Sequence, residues 1–181
     1  NVAEIPAGFP GYDTIWKQDT ASVARILQLN GYSTAAFGKW HNTPRWEVTP
    51  SGPFERWPTR LGFDHFYGFM GGEDKQWEPN LYNDTQPVDA ANRPADYHLT
   101  NDLVNKAVGW VDDHAANAAG KPYFLYMATG AVHAPHDAPP EWIAKNKGRF
   151  DKGWDKHREE AFARQKRQGI IPSDAKLRPR P

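Results

Sequence analysis

The chain has 181 residues, enough for one domain or one and a half, with a core of ordinary size. Its 22 Lys and Arg balance 22 Asp and Glu, which argues against a nucleic-acid binder or a polybasic membrane module, since both concentrate positive charge. It contains no cysteine, so a disulfide framework, a thiolate zinc site and a cysteine nucleophile are excluded.

No apolar run is long enough to span a bilayer, and the N-terminus shows no signal-peptide pattern. The chain opens on Asn1 and is expected to be a piece of a larger protein. Eight Trp, nine Phe and seven Tyr stand beside 16 Pro and 15 Gly, a mixture that predicts long ordered loops pinned by rings. Most of the Trp are expected to fasten loops to the scaffold rather than to touch a ligand.

Residues 1–18 read as irregular, with Gly8-Phe9-Pro10-Gly11 as turn punctuation. A helix follows, capped by Asp19 or Thr20, with Val23, Ile26 and Leu27 as its apolar stripe and Asn30-Gly31 as its stop. Tyr32 to Phe37 reads as a strand ending at Gly38. Residues 42–62 are proline-rich, lack periodicity and read as a loop. Leu61 to Phe69 is short, aromatic and broken by Gly, and Asn80 to Val88 suits a small hairpin turning at Asn83-Asp84. A second helix runs from an N-cap at Thr100 through Leu103, Val104, Ala107 and Val111 to about Asn117. Tyr123 to Ala128 is wholly apolar, as in a parallel strand buried on both faces. A charged helix over about 153–168 closes the chain. Two helix-then-strand units imply an α/β fold, a mostly parallel sheet covered by helices, and the two strands should lie parallel in one sheet.

Gly38-Lys39-Trp40-His41 closes the first strand. Side chains two apart on a strand point the same way, so Lys39 and His41 are expected side by side, an arrangement suited to an anion whose ester is broken. The second strand runs into Thr129-Gly130-Ala131-Val132-His133-Ala134-Pro135-His136. Ligands of parallel α/β sheets bind beyond the carboxyl ends of the strands, which puts Lys39, His41 and His133 at one kind of edge. Simpler roles exist for each: a lysine at a strand end needs no function, and imidazoles often only hold loops. His133 and His136 are spaced like a metal pair, but Ala134-Pro135 makes the segment extended, so His136 is assigned to the rim. Glu73-Asp74 reads as a solvated turn rather than as paired acids.

These residues are where the chain resembles the sulfatase family of the alkaline-phosphatase superfamily. Gly31-Tyr-Ser-Thr-Ala-Ala-Phe-Gly-Lys-Trp-His41 is similar to the second sulfatase signature. Tyr123-Phe-Leu-Tyr126 with Ala131-Val-His-Ala-Pro135 is similar to the family's strand and Ala-Pro-His loop, Val132 standing where proline is usual. Leu61 to Gly68 fits as well, and Gly153-Trp154-Asp155 through Gly169-Ile-Ile-Pro172 resembles the large bacterial arylsulfatase branch.

The resemblance implies a partial alkaline-phosphatase-like domain, residues 1–181 being an internal part of a sulfatase catalytic domain. It implies a sulfuric ester hydrolase acting on a small-molecule sulfate monoester, with no nucleic-acid or membrane partner. Phosphonate monoester or phosphodiester hydrolysis, and non-catalytic anion binding, remain the alternatives. Lys39 would hold a sulfate oxygen, His133 would protonate the leaving oxygen, His41 would take a proton from a formylglycine hydrate, and His136 would line the substrate. Formylglycine and a calcium ion are implied for the intact enzyme. Neither the Cys-x-Pro-Ser-Arg type segment nor the family's acidic metal ligands occur in this sequence, so the chain alone is expected to be inactive and to supply no metal ligand. Oligomeric state is left open. So is the compartment, because the absence of cysteine suits a bacterial cytoplasm or periplasm equally.

Overall fold

A computed structural model of the chain describes residues 7–9, 11–17, 19–91 and 93–179. These form two compact units, divided between Asp137 and Ala138. The first holds a five-stranded sheet built from β1 (Ser33–Lys39), β2 (His65–Phe69), β3 (Tyr82–Asn83), β4 (Gln86–Pro87) and β5 (Tyr123–Ala128) in the order β4-β3-β2-β1-β5. Parallel pairing joins β1 to both β2 and β5, whereas β3 and β4 form the antiparallel hairpin expected near Asn83-Asp84. The two strands expected to be parallel are thus direct neighbours.

Helices cover both faces of the sheet. Side chains alternate along β1, so Ala35 and Phe37 face α2 (Leu99–Asn117), with Leu99, Leu103 and Ala107 as its buried ridge. On the other face, Ala36 packs with Ala24 of α1 (Val23–Leu29) in a cluster holding Trp40, Trp57, Phe63, Phe66 and Met70. The cap of α1 is Ser22 rather than Asp19 or Thr20: its Oγ accepts from Arg25 N at 2.9 Å. The expected stripe of α1 is also misplaced, because Val23 and Ile26 are exposed and Ala24 is the residue fully buried. Close approach explains this. The Arg25 backbone passes so near Gly62 that a Cβ there would lie 2.2 Å from Arg25 N, and only a small side chain fits the contact.

Three further expectations change. β2 is a full parallel strand, where the sequence showed only a short aromatic stretch. The N-cap of α2 is His98, and Thr100 lies inside the helix with its hydroxyl donating to Gln76 Oε1 at 2.9 Å. β5 is apolar yet only half-buried, with Tyr123 and Tyr126 exposed; it is the end strand and has a single neighbour. The rings pin loops at some positions only: Trp40 and Trp57 are buried, whereas Trp46, Trp77, Trp142 and Trp154 are exposed, contrary to the expectation for most of the Trp. Trp57 is fully buried between Phe54 and Tyr82, at centroid distances of 5.3 and 5.0 Å, and its indole donates to Glu47 O at 2.9 Å.

The second unit contains α3 (Pro140–Asn146), which the sequence did not reveal, and α4 (Gly153–Arg167), which it did. Neither helix buries a residue completely. Within the unit the Lys152 ammonium pairs with Glu160, and Lys166 donates to Ala175 O at 2.8 Å.

Candidate active site

Because β1, β2 and β5 are parallel and in close register, their following loops (40–44, 70–76 and 129–137) emerge at one edge of the sheet. The register is tight at that edge. Gly38 lies opposite Ala128, and a Cβ on Gly38 would fall 1.9 Å from Ala128 O; its φ of +107° is also one that side chains avoid. Lys39 follows directly, paired in register with Phe69. By strand alternation it extends on the α2 face with Phe37.

His41 reaches the site differently from the expectation. β1 ends at Lys39, and His41 adopts φ +55°, so strand alternation does not govern its direction. Its backbone nitrogen still donates to Met70 O at 3.1 Å, just as Trp40 N donates to Phe69 O at 3.0 Å. A left-handed residue that is not glycine costs of order 1–3 kcal/mol and persists only where its surroundings hold it. Trp40 supplies part of that hold: it is buried, packs edge-on against Phe63 at 5.8 Å and donates to Thr43 Oγ1 at 3.0 Å. The other part is Gly72, which abuts the imidazole so closely that a Cβ there would be 2.8 Å from His41 Cε1.

His133 stands in the loop after β5 with its ring exposed. Its Nδ1 lies 3.0 Å from Glu73 Oε2 and 3.0 Å from Ala134 O. Glu73 is the neighbour of Gly72 in the turn after β2, so consecutive residues of one turn touch the His41 ring and the His133 ring. The acids of that turn are therefore not simply solvated. Asp74 Oδ1 accepts from Lys75 N at 2.8 Å and its Oδ2 from Asn80 N at 3.0 Å, and burial raises its carboxyl pKa above the usual range. A second tie joins the same two loops, Gln76 N donating to Asp137 Oδ2 at 3.1 Å. Gln76 is itself buried and accepts from Leu99 N at 2.7 Å, which anchors the loops to the start of α2. His136 is exposed in the 129–137 loop and takes no part in the Glu73–His133 pair.

Sequence reasoning missed Gly72 and Glu73, for which the only signal was a Gly-Gly-acid-acid turn directly after a strand. Three cavities, of about 730, 480 and 300 Å³, are lined by residues other than Lys39, His41 and His133. The largest of these is lined by Trp16, Arg25, Phe54, Arg56 and Arg60 among others, and takes nothing from the loops at the carboxyl edge. Among the described residues no three His, Asp or Glu side chains are gathered to hold a metal ion. Calcium and a cysteine-derived formylglycine thus do not fit the residues in hand. No helix among the described residues is long and apolar enough to cross a membrane.

Comparison with known proteins agrees with this architecture. An arylsulfatase of Klebsiella aerogenes is 27% identical over 184 residues, covering 94% of this chain and 36% of that protein. An uncharacterized sulfatase of Schizosaccharomyces pombe is 28% identical, covering 95% of the chain and 32% of its own length. The chain therefore spans about a third of the length of these relatives. Among solved structures, Ps i-CgsB in complex with k-i-k-neocarrahexaose superposes with a TM-score of 0.62 at 26% identity, covering 79% of this chain and 33% of that one. The sulfatase family model matches residues 7–176, nearly the whole length, and the chain belongs to the sulfatase family.

Proposed function

We propose that this chain forms the anion-binding and proton-transfer part of a sulfuric ester hydrolase of arylsulfatase type, cleaving a small-molecule sulfate monoester to sulfate and an alcohol or phenol. The observation that carries the reading is the meeting of the three carboxyl-edge loops, where the Gly72-Glu73 turn touches both imidazoles and Lys39 ends β1, the strand between β2 and β5. Lys39 offers fixed positive charge to a sulfate oxygen, the type of preorganised electrostatics that stabilises a developing anion. His133 delivers a proton to the leaving oxygen as the ester bond breaks, which lets a poor leaving group depart as a neutral alcohol. His41, held in a strained conformation beside the same turn, serves as the second proton-exchanging group, and His136 contacts the outer part of the substrate. The family resemblance calls for formylglycine and calcium in the intact enzyme, on residues other than those described.

The test uses the intact protein that contains this chain. It should hydrolyse 4-nitrophenyl sulfate in preference to bis(4-nitrophenyl) phosphate and phenyl phosphonate monoesters. Lys39→Ala should lower kcat/KM for the sulfate by about 10²–10³. Preference for the phosphodiester or the phosphonate, or a Lys39→Ala variant with full activity, overturns the assignment.

A further inference from the structure

The pairing at His133 goes further than the family likeness, although the argument rests on the proton-donor role just given to that residue. Both neighbours of Nδ1 are acceptors, the Glu73 carboxylate and the Ala134 carbonyl, each at 3.0 Å. A ring nitrogen facing two acceptors carries the proton, since an unprotonated nitrogen there would oppose lone pair to lone pair. Nε2 is thereby left as the nitrogen that meets the substrate. The carboxylate comes from the loop after β2, on a turn whose next residue, Asp74, is tied to two backbone N–H groups. The carbonyl comes from the loop of His133 itself. The ring is therefore held from two directions.

We propose that Glu73 is the positioning residue for His133: its carboxylate accepts from Nδ1–H, fixes the plane of the ring, and supports the imidazolium from which Nε2 gives its proton to the leaving oxygen. In that step the Nε2–H bond breaks as the O–H bond of the alcohol forms, the ester oxygen keeps the electron pair of its bond to sulfur, and the imidazole is left neutral. Glu73 stays ionised throughout.

Leaving-group dependence separates this role from a merely structural one. 4-Nitrophenolate departs readily without a proton, whereas an alkoxide requires one. In the intact protein, His133→Ala should cost about 10²–10⁴ in kcat on an alkyl or sugar sulfate and far less on 4-nitrophenyl sulfate. Glu73→Ala should show the same selectivity at about tenfold or more on the alkyl sulfate, with KM little changed. Glu73→Gln retains an acceptor oxygen and should fall between Glu73→Ala and the parent. The double variant should be no slower than His133→Ala alone, because residues acting as a unit are not additive. If His133→Ala is selective while Glu73→Ala slows both substrates equally or neither, the positioning role is wrong and the donor role stands. If His133→Ala shows no selectivity, the donor role fails and the positioning role falls with it.

Discussion

A single methyl group at Gly72 tests whether the carboxyl-edge loops are as closely fitted as the geometry states. In Gly72→Ala the new Cβ would lie 2.8 Å from His41 Cε1 and 3.1 Å from each ring nitrogen. Non-bonded carbons rest at about 3.5–4.0 Å, so ring and turn must separate by about 0.7–1.2 Å. The backbone of His41 is tied to Met70 O and lies in the left-handed region, so its ring moves only by leaving its side-chain position. If the turn moves instead, it carries Glu73 with it. A shift of that size in either direction takes the 3.0 Å contact with His133 outside hydrogen-bond range. Either response disturbs an imidazole or its partner.

Misplacement of a reacting group by about 1 Å can cost on the order of 10²-fold in rate, equivalent to about 2.7 kcal/mol. The fold should suffer less, because Gly72 is only half-buried and its φ is not among the positive values that disfavour alanine. Gly71→Ala is the matched control: the nearest atom to its Cβ would be Glu73 O at 3.5 Å, an ordinary contact. Measured on the intact protein with an alkyl sulfate, Gly72→Ala should therefore lose about 10²-fold in kcat while Gly71→Ala stays within about threefold, both with nearly parental Tm. Equal rates for the two alanine variants would refute the close fit of turn and imidazole.

Other expectations follow from the packing around this edge. Trp57→Ala removes a fully buried ring and the donor to Glu47 O, and should cost about 3–5 kcal/mol in urea denaturation; a loss below about 1 kcal/mol would contradict the packing. Gly38→Ala sets a Cβ against Ala128 O at a positive φ and should depress Tm more than Gly72→Ala does; a parental Tm would mean that β1 and β5 are not so closely joined. Tyr67→Phe loses the hydroxyl donated to Asp102 Oδ2 at 2.7 Å, worth about 1 kcal/mol, read by the same denaturation. Burial raises the Asp74 carboxyl above its usual 3.8. A carboxyl raised on folding contributes stability that is full below its unfolded pKa and lost as pH rises through the folded value. Between pH 3.5 and neutral the Tm of the parent should accordingly change less favourably than that of Asp74→Asn, and identical pH profiles would refute this.

Strand and helix identities were legible where one local rule dominates. Tyr123 to Ala128 is an unbroken apolar run, and β5 has those bounds; of the stripe expected on α2, Leu103 and Ala107 are buried, whereas Val104 is exposed and Val111 only half-buried. β2 was obscured because five residues that include His65 and Gly68 give neither alternation nor length. α3 was hidden by its shortness and by Pro139-Pro140 at its start. The helix caps misled for a different reason. Asp19, Thr20 and Thr100 are all competent caps, and the choice of Ser22 and His98 is made by contacts far along the chain, Ser22 Oγ with Leu61 O and Leu99 N with Gln76 O. No window of sequence contains both partners of such a contact.

The same distinction divides the site. Lys39 and His133 could be read as candidates because strand ends are visible in sequence and parallel strands present their carboxyl ends together. What makes a histidine at such an edge chemically directed is the group behind it, and that group lies on another strand's loop. Glu73 in a Gly-Gly-Glu-Asp turn has the composition of any solvated turn. It becomes a partner of His133 only once β1 pairs with β2 on one side and β5 on the other, so that the turn after β2 and the loop after β5 stand within reach of each other across the end of β1. His41 shows the converse. Its presence at the edge was legible, but its direction was not, because alternation along β1 stops at Lys39 and a left-handed backbone takes over. The position of a candidate residue thus follows from the periodicity of its own strand, and its aim follows from side chains contributed by neighbouring loops. Chemistry that depends on aim therefore has to be argued from Gly72 and Glu73 as much as from the histidines themselves.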